Sequence, residues 1–130
     1  MEFKIDTKAT YVIIMPMQQA IDAILADKLV QKVEELRQSG SNNFIVDLSL
    51  GAEIDAGAME RLLKLHVMCY EAGQSLVFGC VGEGLRRQVL ALDEDRVLQL
   101  APTLIEAVDI VSMEILEREL MEEDPGGPEL

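Results

Sequence analysis

The sequence lacks tryptophan altogether, and aromatic residues make up only 4% of its 130 residues. It contains two cysteines, Cys69 and Cys80, and one histidine, His66. These few thiols and imidazoles exclude a disulfide framework and a cysteine–histidine metal cluster. We therefore predict two free thiols, no metal and no cofactor. Leucine, isoleucine, valine, alanine and methionine must therefore fill the core.

Basic residues are also scarce, with 11 Lys and Arg against 24 Asp and Glu, for a formal net charge of −13. This charge repels the phosphates of nucleic acids and of anionic lipid head groups, so we predict neither nucleic acid nor membrane as a partner. A protein with a basic face suits the charge better. The chain shows no secretory signal pattern and no apolar run near the roughly 20 residues of a membrane helix, so we expect a cytoplasmic protein.

Apolar runs alternate with helical spacings along the chain. Strands are predicted at 3–6, 11–15, 44–48, 75–81 and 97–100, with Pro16 ending the second. Helices are predicted from 27 to Gly40, at 55–73, at 83–92 and from Thr103 onward, whereas 18–26 is ambiguous. The order predicts a single α/β domain: an initial β-hairpin, a mixed and mostly parallel sheet of four to five strands, and about four helices.

The C-terminal end of the chain differs in composition from the rest. Acids far outnumber bases between Glu114 and Glu129, and the helical spacing is interrupted by Pro125, Gly126, Gly127 and Pro128. Such a segment buries too little apolar surface to fold. We therefore predict a domain at 1–120 and an acidic, disordered Pro/Gly-rich tail at 121–130.

The residues that could support catalysis are few. His66 and Cys69 share a helix face, but no orienting acid or oxyanion site accompanies them. The glycines at 79, 82 and 84 lie between a strand and a helix, yet they fit neither Gly-x-Gly-x-x-Gly nor the lysine-bearing P-loop, and Glu83 would repel a phosphate. We predict that the protein is not an enzyme.

The stretch 47–63 is the informative part of the sequence. A strand ends there, the chain loops, and a helix begins at Asp55, followed by the small residues Ala56, Gly57 and Ala58. Small side chains at a helix start let another protein approach closely, where unpaired N–H groups and the positive end of the helix dipole are exposed. A compact turn with an ordinary cap explains the same residues equally well.

This stretch resembles the STAS domain, the family of bacterial anti-sigma-factor antagonists and related regulators. Those proteins typically show Asp-Leu-Ser, a short loop, then Ile-Asp-Ser-Ser-Gly-Leu and a helix continuing with Leu-Leu. The corresponding segments here are Asp47-Leu48-Ser49, Ile54-Asp55 and Leu62-Leu63, with further likeness at 72–77, 86–90 and 104–108. The resemblance covers residues 1–117 and implies a STAS fold that binds a protein.

The chain departs from the family at the functional position. The family's Ser-Ser-Gly falls on Ala56, Gly57 and Ala58. In the family, a serine kinase that is also the anti-sigma factor phosphorylates the serine aligned with Gly57, and the added charge breaks the complex. Gly57 has no hydroxyl, so the resemblance implies a degenerate phosphosite. Either the protein stays binding-competent, or its partner is not regulated by phosphorylation here.

The resemblance also implies a binding surface. The family's Gly-x-Leu-Asp loop, which borders the kinase-binding surface, corresponds here to Gln19-Ala20-Ile21-Asp22, where the Asp is kept and the Gly is not. The predicted partner-binding residues are Asp22, Glu53, Asp55, Ala56, Gly57, Ala58, Met59 and Arg61.

We therefore predict a non-catalytic module resembling the anti-sigma-factor antagonists, which acts in bacterial signalling or transcription control without the usual phosphoserine switch. An anti-sigma factor with kinase character is the partner that the resemblance implies. A small-ligand sensor, or a structural subunit or homodimer on the same fold, is the alternative.

Overall fold

The computed structural model describes residues 2–123. The five predicted strands and four predicted helices occur in the predicted order, and two additional strands of two residues each, which were not predicted, lie among them. The strands are β1 (Phe3–Thr7), β2 (Val12–Pro16), β3 (Ala20–Ile21), β4 (Asn43–Asp47), β5 (Glu53–Ile54), β6 (Ser75–Gly79) and β7 (Gln99–Leu100). The helices are α1 (Ala23–Gln38), α2 (Ala56–Glu71), α3 (Glu83–Leu92) and α4 (Leu104–Glu123).

The main sheet has the strand order β1-β2-β4-β6-β7. β1 and β2 form an antiparallel hairpin, whereas β2, β4, β6 and β7 pair in parallel. The predicted α/β class, the initial hairpin and the mixed, mostly parallel sheet with four helices are confirmed. β3 and β5 pair in parallel as a separate two-stranded sheet.

Helices cover both faces of the main sheet, which explains why its central strands are apolar without alternation. Ile14, Phe44 and Phe78 face a core completed by α1, α2 and α3. Ile13, Ile45 and Val77, each next to one of these residues in its strand, face a smaller core completed by α4. Successive residues in a strand point to opposite faces, so every position of β4 and β6 is buried.

The start of α1 corrects one prediction. The helix was expected from residue 27, but it begins at Ala23, with Asp22 as its N-cap. The side chain of Asp22 accepts a hydrogen bond from the backbone N–H of Leu25 at 2.9 Å, which satisfies one of the unpaired groups of the first turn. The ambiguous segment therefore contains a short strand, a cap and the first turn of a helix.

Several boundaries differ by a few residues. β2 includes Pro16 as its last residue, and α2 ends at Glu71, ahead of Gly73. α4 runs to Glu123, past the predicted domain boundary at 120, and the rest of the predicted tail lies outside the described residues. Within 2–123, no helix is both long and apolar enough to cross a membrane.

The contact between α4 and the sheet predicts an unequal response to two alanine substitutions. A Cβ at Gly79 in β6 would lie 3.0 Å from the Cβ of Ala107 in α4, so Gly79→Ala must push the helix outward and cost about 1–3 kcal/mol. Gly84 in α3 has open space around it, and Gly84→Ala should stabilise by up to about 1 kcal/mol through helix propensity. Urea unfolding measures both, and equal effects would contradict the close approach.

Candidate functional site

Two helices begin side by side at the carboxyl end of the sheet. Asp22 caps α1 and Asp55 caps α2, with the same backbone φ of −109° and ψ values of 179° and 172°. The side chain of Asp55 accepts a hydrogen bond from the backbone N–H of Ala58 at 2.8 Å, as Asp22 does from Leu25. Two positive helix ends with their remaining first-turn N–H groups therefore share one surface.

The short strands β3 and β5 hold these two helix starts together. Ile21 pairs with Ile54, and the residue that follows each of them is the cap of a helix. The carbonyl of Gln19 accepts from the N–H of Ala52 at 2.8 Å, and the carbonyl of Ile21 accepts from the N–H of Asp55 at 3.2 Å. The relative position of the two caps is thus set by backbone hydrogen bonds.

Gln88 of α3 braces the same loop from the other side. Its side-chain oxygen accepts from the N–H of Ile54 at 3.0 Å, and its side-chain nitrogen donates to the carbonyl of Ala52 at 3.0 Å. The side-chain amide of Gln88 is therefore turned onto the β5 backbone, and the residue is half-buried.

Arg61 ties α2 to α1. Its Nε donates to Oδ1 of Asp27 at 2.7 Å, and its Nη1 donates to the carbonyl of Gly57 at 2.9 Å. The first of these contacts crosses between the helices, and the second lies within the first turns of α2. The predicted site residue Arg61 is therefore partly engaged in holding the surface together.

Gly57 lies where α2 approaches the first turn of α1. A Cβ at this position would be 3.2 Å from the Cβ of Ala23, which is closer than ordinary van der Waals contact, and 3.7 Å from Nη1 of Arg61. A side chain at 57 would therefore require its neighbours to shift by a few tenths of an ångström. The spacing of the two helices suits a glycine.

The predicted binding residues divide by burial. Glu53, Asp55 and Ala56 are exposed, while Asp22, Gly57 and Arg61 are half-buried. Ala58 and Met59 are 0% and 2% exposed and belong to the core, so their side chains cannot meet a partner while the helix is folded. The structure brings the first six together and places the last two beneath them.

Three exposed apolar residues lie in the segments around this surface and were not predicted from the sequence. They are Met17 before β3, Ile24 in the first turn of α1 and Leu50 in the loop before β5, with 45%, 67% and 42% of their areas exposed. The exposure of Ile24 follows from the start of α1 at Ala23, because a helix that begins there turns Leu25 toward the core and Ile24 toward the outside. We call the six accessible site residues and these three apolar residues the docking face.

The cysteines are poorly suited to act as nucleophiles. Burial raises the pKa of the Cys69 thiol. The positive charge of Arg37 lowers this pKa by a smaller amount, and the negative charge of Glu34 raises it. The pKa of the Cys80 thiol is also raised, mainly by burial and to a lesser extent by the charge and the hydrogen bond of Asp47. Both thiols stay protonated at neutral pH, and the thiolate is the reactive form. Among the described residues, no cluster of three or more His, Cys, Asp or Glu could hold a metal ion.

The sequence matches the family model of the STAS domain over residues 4–107. That range runs from the second residue of β1 to the first turn of α4 and contains the other strands and α1 to α3. The chain therefore belongs to the STAS domain family, which confirms the resemblance seen in its motifs. No curated protein sequence matches it significantly.

Solved structures share this fold at low sequence identity. A protein described as an anti-sigma factor antagonist from Thermotoga maritima superposes with a TM-score of 0.72 at 23% identity, over 85% of this chain and 94% of that one. RsbS from Moorella thermoacetica, with a serine replaced by glutamate, superposes with a TM-score of 0.71 at 13% identity, over 91% of this chain and 99% of that one. The anti-sigma factor antagonist SpoIIAA in its unphosphorylated form superposes with a TM-score of 0.66 at 13% identity, over 85% of this chain and 96% of that one. These likenesses show the fold.

The bracing role of Gln88 can be tested against its neighbour. Gln88→Ala leaves the N–H of Ile54 and the carbonyl of Ala52 without their partner, and we expect a loss of about 1–2 kcal/mol in the free energy of unfolding. Arg87→Ala removes only an exposed ion pair with Glu83 and should change stability by less than about 0.5 kcal/mol. Denaturant unfolding measures both. Equal stability of the two variants would show that Gln88 does not brace the loop.

Proposed function

We propose that this STAS protein is a non-catalytic regulatory module that binds one protein partner through the docking face, as an anti-sigma-factor antagonist does. The setting we propose is bacterial signalling or transcription control in the cytoplasm. The observation that supports this most directly is the pairing of β3 with β5, which presents two capped helix starts on one surface. The anti-sigma factor antagonists among the structural neighbours support the same proposal.

The chemistry of the docking face suits a protein surface. Ile24, Met17 and Leu50 supply apolar area that is removed from water on binding, and such area gives an interface most of its energy. Ala56 and Gly57 let a partner's backbone approach the helix start closely. The exposed acids Glu53 and Asp55 lie beside them, so a partner with basic groups around an apolar centre is complementary.

The proposed regulation differs from that of the family's usual switch. Phosphorylation of a serine adds a charge of about −1.5 to −2 to the binding surface, but Gly57 has no hydroxyl to accept the phosphoryl group. The close contact with Ala23 also leaves little room for a side chain at 57. We propose that the docking face stays binding-competent at this position, so control of the complex acts elsewhere.

The docking face can be tested by adding a large side chain at two neighbouring positions. Ala56 is exposed, so Ala56→Glu adds charge and bulk without disturbing the core, and Gly57→Glu adds the same group one residue later. We expect both to weaken the complex at least about tenfold, a cost of 1.4 kcal/mol or more, because the added side chain blocks the close approach of the partner's backbone to the helix start. The measurement is recovery of the wild-type protein's partner from an extract of the source organism, followed by titration of the purified pair.

Asn42→Glu is the matched control. Asn42 is exposed and precedes β4, at the opposite end of the sheet, so the same charge there should leave binding unchanged. Circular dichroism checks that each variant is folded, and Ala56→Glu decides the outcome if Gly57→Glu is unstable. Unchanged binding by a folded Ala56→Glu would overturn the proposed surface.

A structural subunit or homodimer remains an alternative prediction. Sedimentation of the purified protein decides whether it self-associates. A stable dimer whose formation buries the docking face would contradict the proposed function, whereas a monomer agrees with it.

A further inference from the structure

A single helix covers the side of the main sheet that faces away from α1, α2 and α3. Ala107 and Val111 of α4 are completely buried against this side of the sheet. In the part of the chain that the structure describes, no other helix contributes to this smaller core. The opposite side of α4 therefore points away from the rest of the protein.

The outward side of α4 carries an apolar stripe. Met113, Leu116 and Leu120 recur at spacings of three and four residues, which place side chains on one side of a helix. At 3.6 residues per turn, these positions lie on the far side of the helix from Val111. Ile105 lies on the same side about two turns earlier, and more than half of the area of each of the four residues is exposed. We call these four residues the α4 stripe.

A stripe of this kind calls for a cover. Single exposed apolar side chains are ordinary on protein surfaces, whereas neighbouring ones on a helix mark surfaces that other molecules bind. A helix that is apolar on all sides is normally buried on all sides. Within residues 2–123, the side of α4 that faces the sheet is covered and the side with the α4 stripe is not.

Acidic side chains lie along the α4 stripe. Four exposed acids of the helix lie among or beside the apolar residues: Glu106, Asp109, Glu117 and Glu119. The single base of the helix, Arg118, is turned toward the sheet, where Nη1 donates to Oγ of Ser75 at 3.0 Å and Nη2 donates to Oδ1 of Asn43 at 2.7 Å. The helix therefore offers negative charge, and no positive charge, beside the stripe.

These charges decide which kind of molecule fits. A second copy of the chain would bring the same acids against the first set, and like charges placed face to face oppose association. Anionic lipid head groups are repelled for the same reason. A helix with apolar residues between lysines and arginines is complementary both to the apolar side chains and to the acids, and helices pack side by side through such surfaces.

We propose that the α4 stripe binds a basic amphipathic helix of a protein partner. Leu116 and Leu120 contact the apolar side of that helix. Its lysines and arginines lie beside Glu117 and Glu119. The stretch from Met113 to Leu120 is about 10 Å long, or two helical turns, so a short segment of the partner is enough to cover it. The site lies across the main sheet from α1 and α2, so it depends neither on the docking face nor on the partner proposed for that face.

The test uses a synthetic peptide as the probe. The peptide is a fluorescently labelled helix of about five turns with leucine on one side and lysine on the other, and a second peptide has serine in place of each leucine. Fluorescence anisotropy measures binding of each peptide to the whole protein. We expect the leucine–lysine peptide to bind at least about tenfold more tightly, because its binding removes apolar area from water. Equal affinities, or no binding of the leucine–lysine peptide, would overturn the proposal.

Variants of the α4 stripe locate the binding. Leu116→Gln combined with Leu120→Gln removes apolar area at two exposed positions without changing the charge, and we expect binding of the leucine–lysine peptide to weaken at least about tenfold. Met17→Gln combined with Ile24→Gln is the matched control, because it removes two exposed apolar side chains from the docking face, and it should bind as the wild type does. Circular dichroism checks that both are folded. Unchanged binding by the α4 variant, or an equal loss in the control, would contradict the assignment.

The acids beside the stripe are tested separately. Asp109→Asn combined with Glu119→Gln removes two exposed charges from α4, and we expect binding of the leucine–lysine peptide to weaken at least about threefold. Glu53→Gln combined with Glu71→Gln removes two exposed charges from β5 and α2 and should have a smaller effect. The two variants have the same net charge, so equal affinities would mean that only the overall charge attracts the peptide, contrary to the proposal.

Two further measurements exclude or identify the other occupants. Sedimentation shows whether the purified protein is a monomer, as the proposal expects. A dimer that the Leu116→Gln and Leu120→Gln variant converts to a monomer would show instead that a second copy covers the stripe. Binding to phosphatidylcholine vesicles that the same variant abolishes would show that a lipid surface covers it. Either result would overturn the proposal.

Discussion

The pairing of β3 with β5 is the interaction on which the docking face depends. Each strand has only two residues, yet each is followed directly by the aspartate that caps a helix. Because the strands are parallel, α1 and α2 start from the same edge and in the same direction. Gln88 from α3 and the Arg61–Asp27 ion pair then fix the loop and the helices around this junction.

The central architecture could be predicted because its signals are local. β4 and β6 are continuous apolar runs buried on both faces, and Asp55 marks the start of α2 within the chain itself. β3 and β5 could not be predicted, since two residues do not establish a period. The start of α1 was placed too late for a related reason: Asp22 was not recognised as its cap, so Ile24 was not recognised as an exposed residue.

The candidate site was predictable only where it is contiguous in the sequence. Residues 53–61 follow one another, so a motif could identify them. Asp27 and Arg61 are 34 positions apart, as are Ile54 and Gln88, and nothing local in the chain indicates that they meet. The burial of Ala58 and Met59 was equally hidden, because a small or flexible side chain in a first helical turn suits either a core or a surface. The glycine at 57 shows the same limit: its missing hydroxyl is evident in the sequence, but its contact with Ala23 requires the fold.

Because β3 and β5 pair within one chain, the docking face should already be formed in the free protein. Amide hydrogen exchange of the isolated chain, followed by NMR, tests this most directly. The N–H groups of Ala52, Ile54 and Asp55 are bonded to Gln19, Gln88 and Ile21, so they should exchange slowly, at rates comparable with those of the β4–β6 ladder. Exchange at the rate of an unstructured peptide would show that β3 and β5 do not hold the two helix starts together.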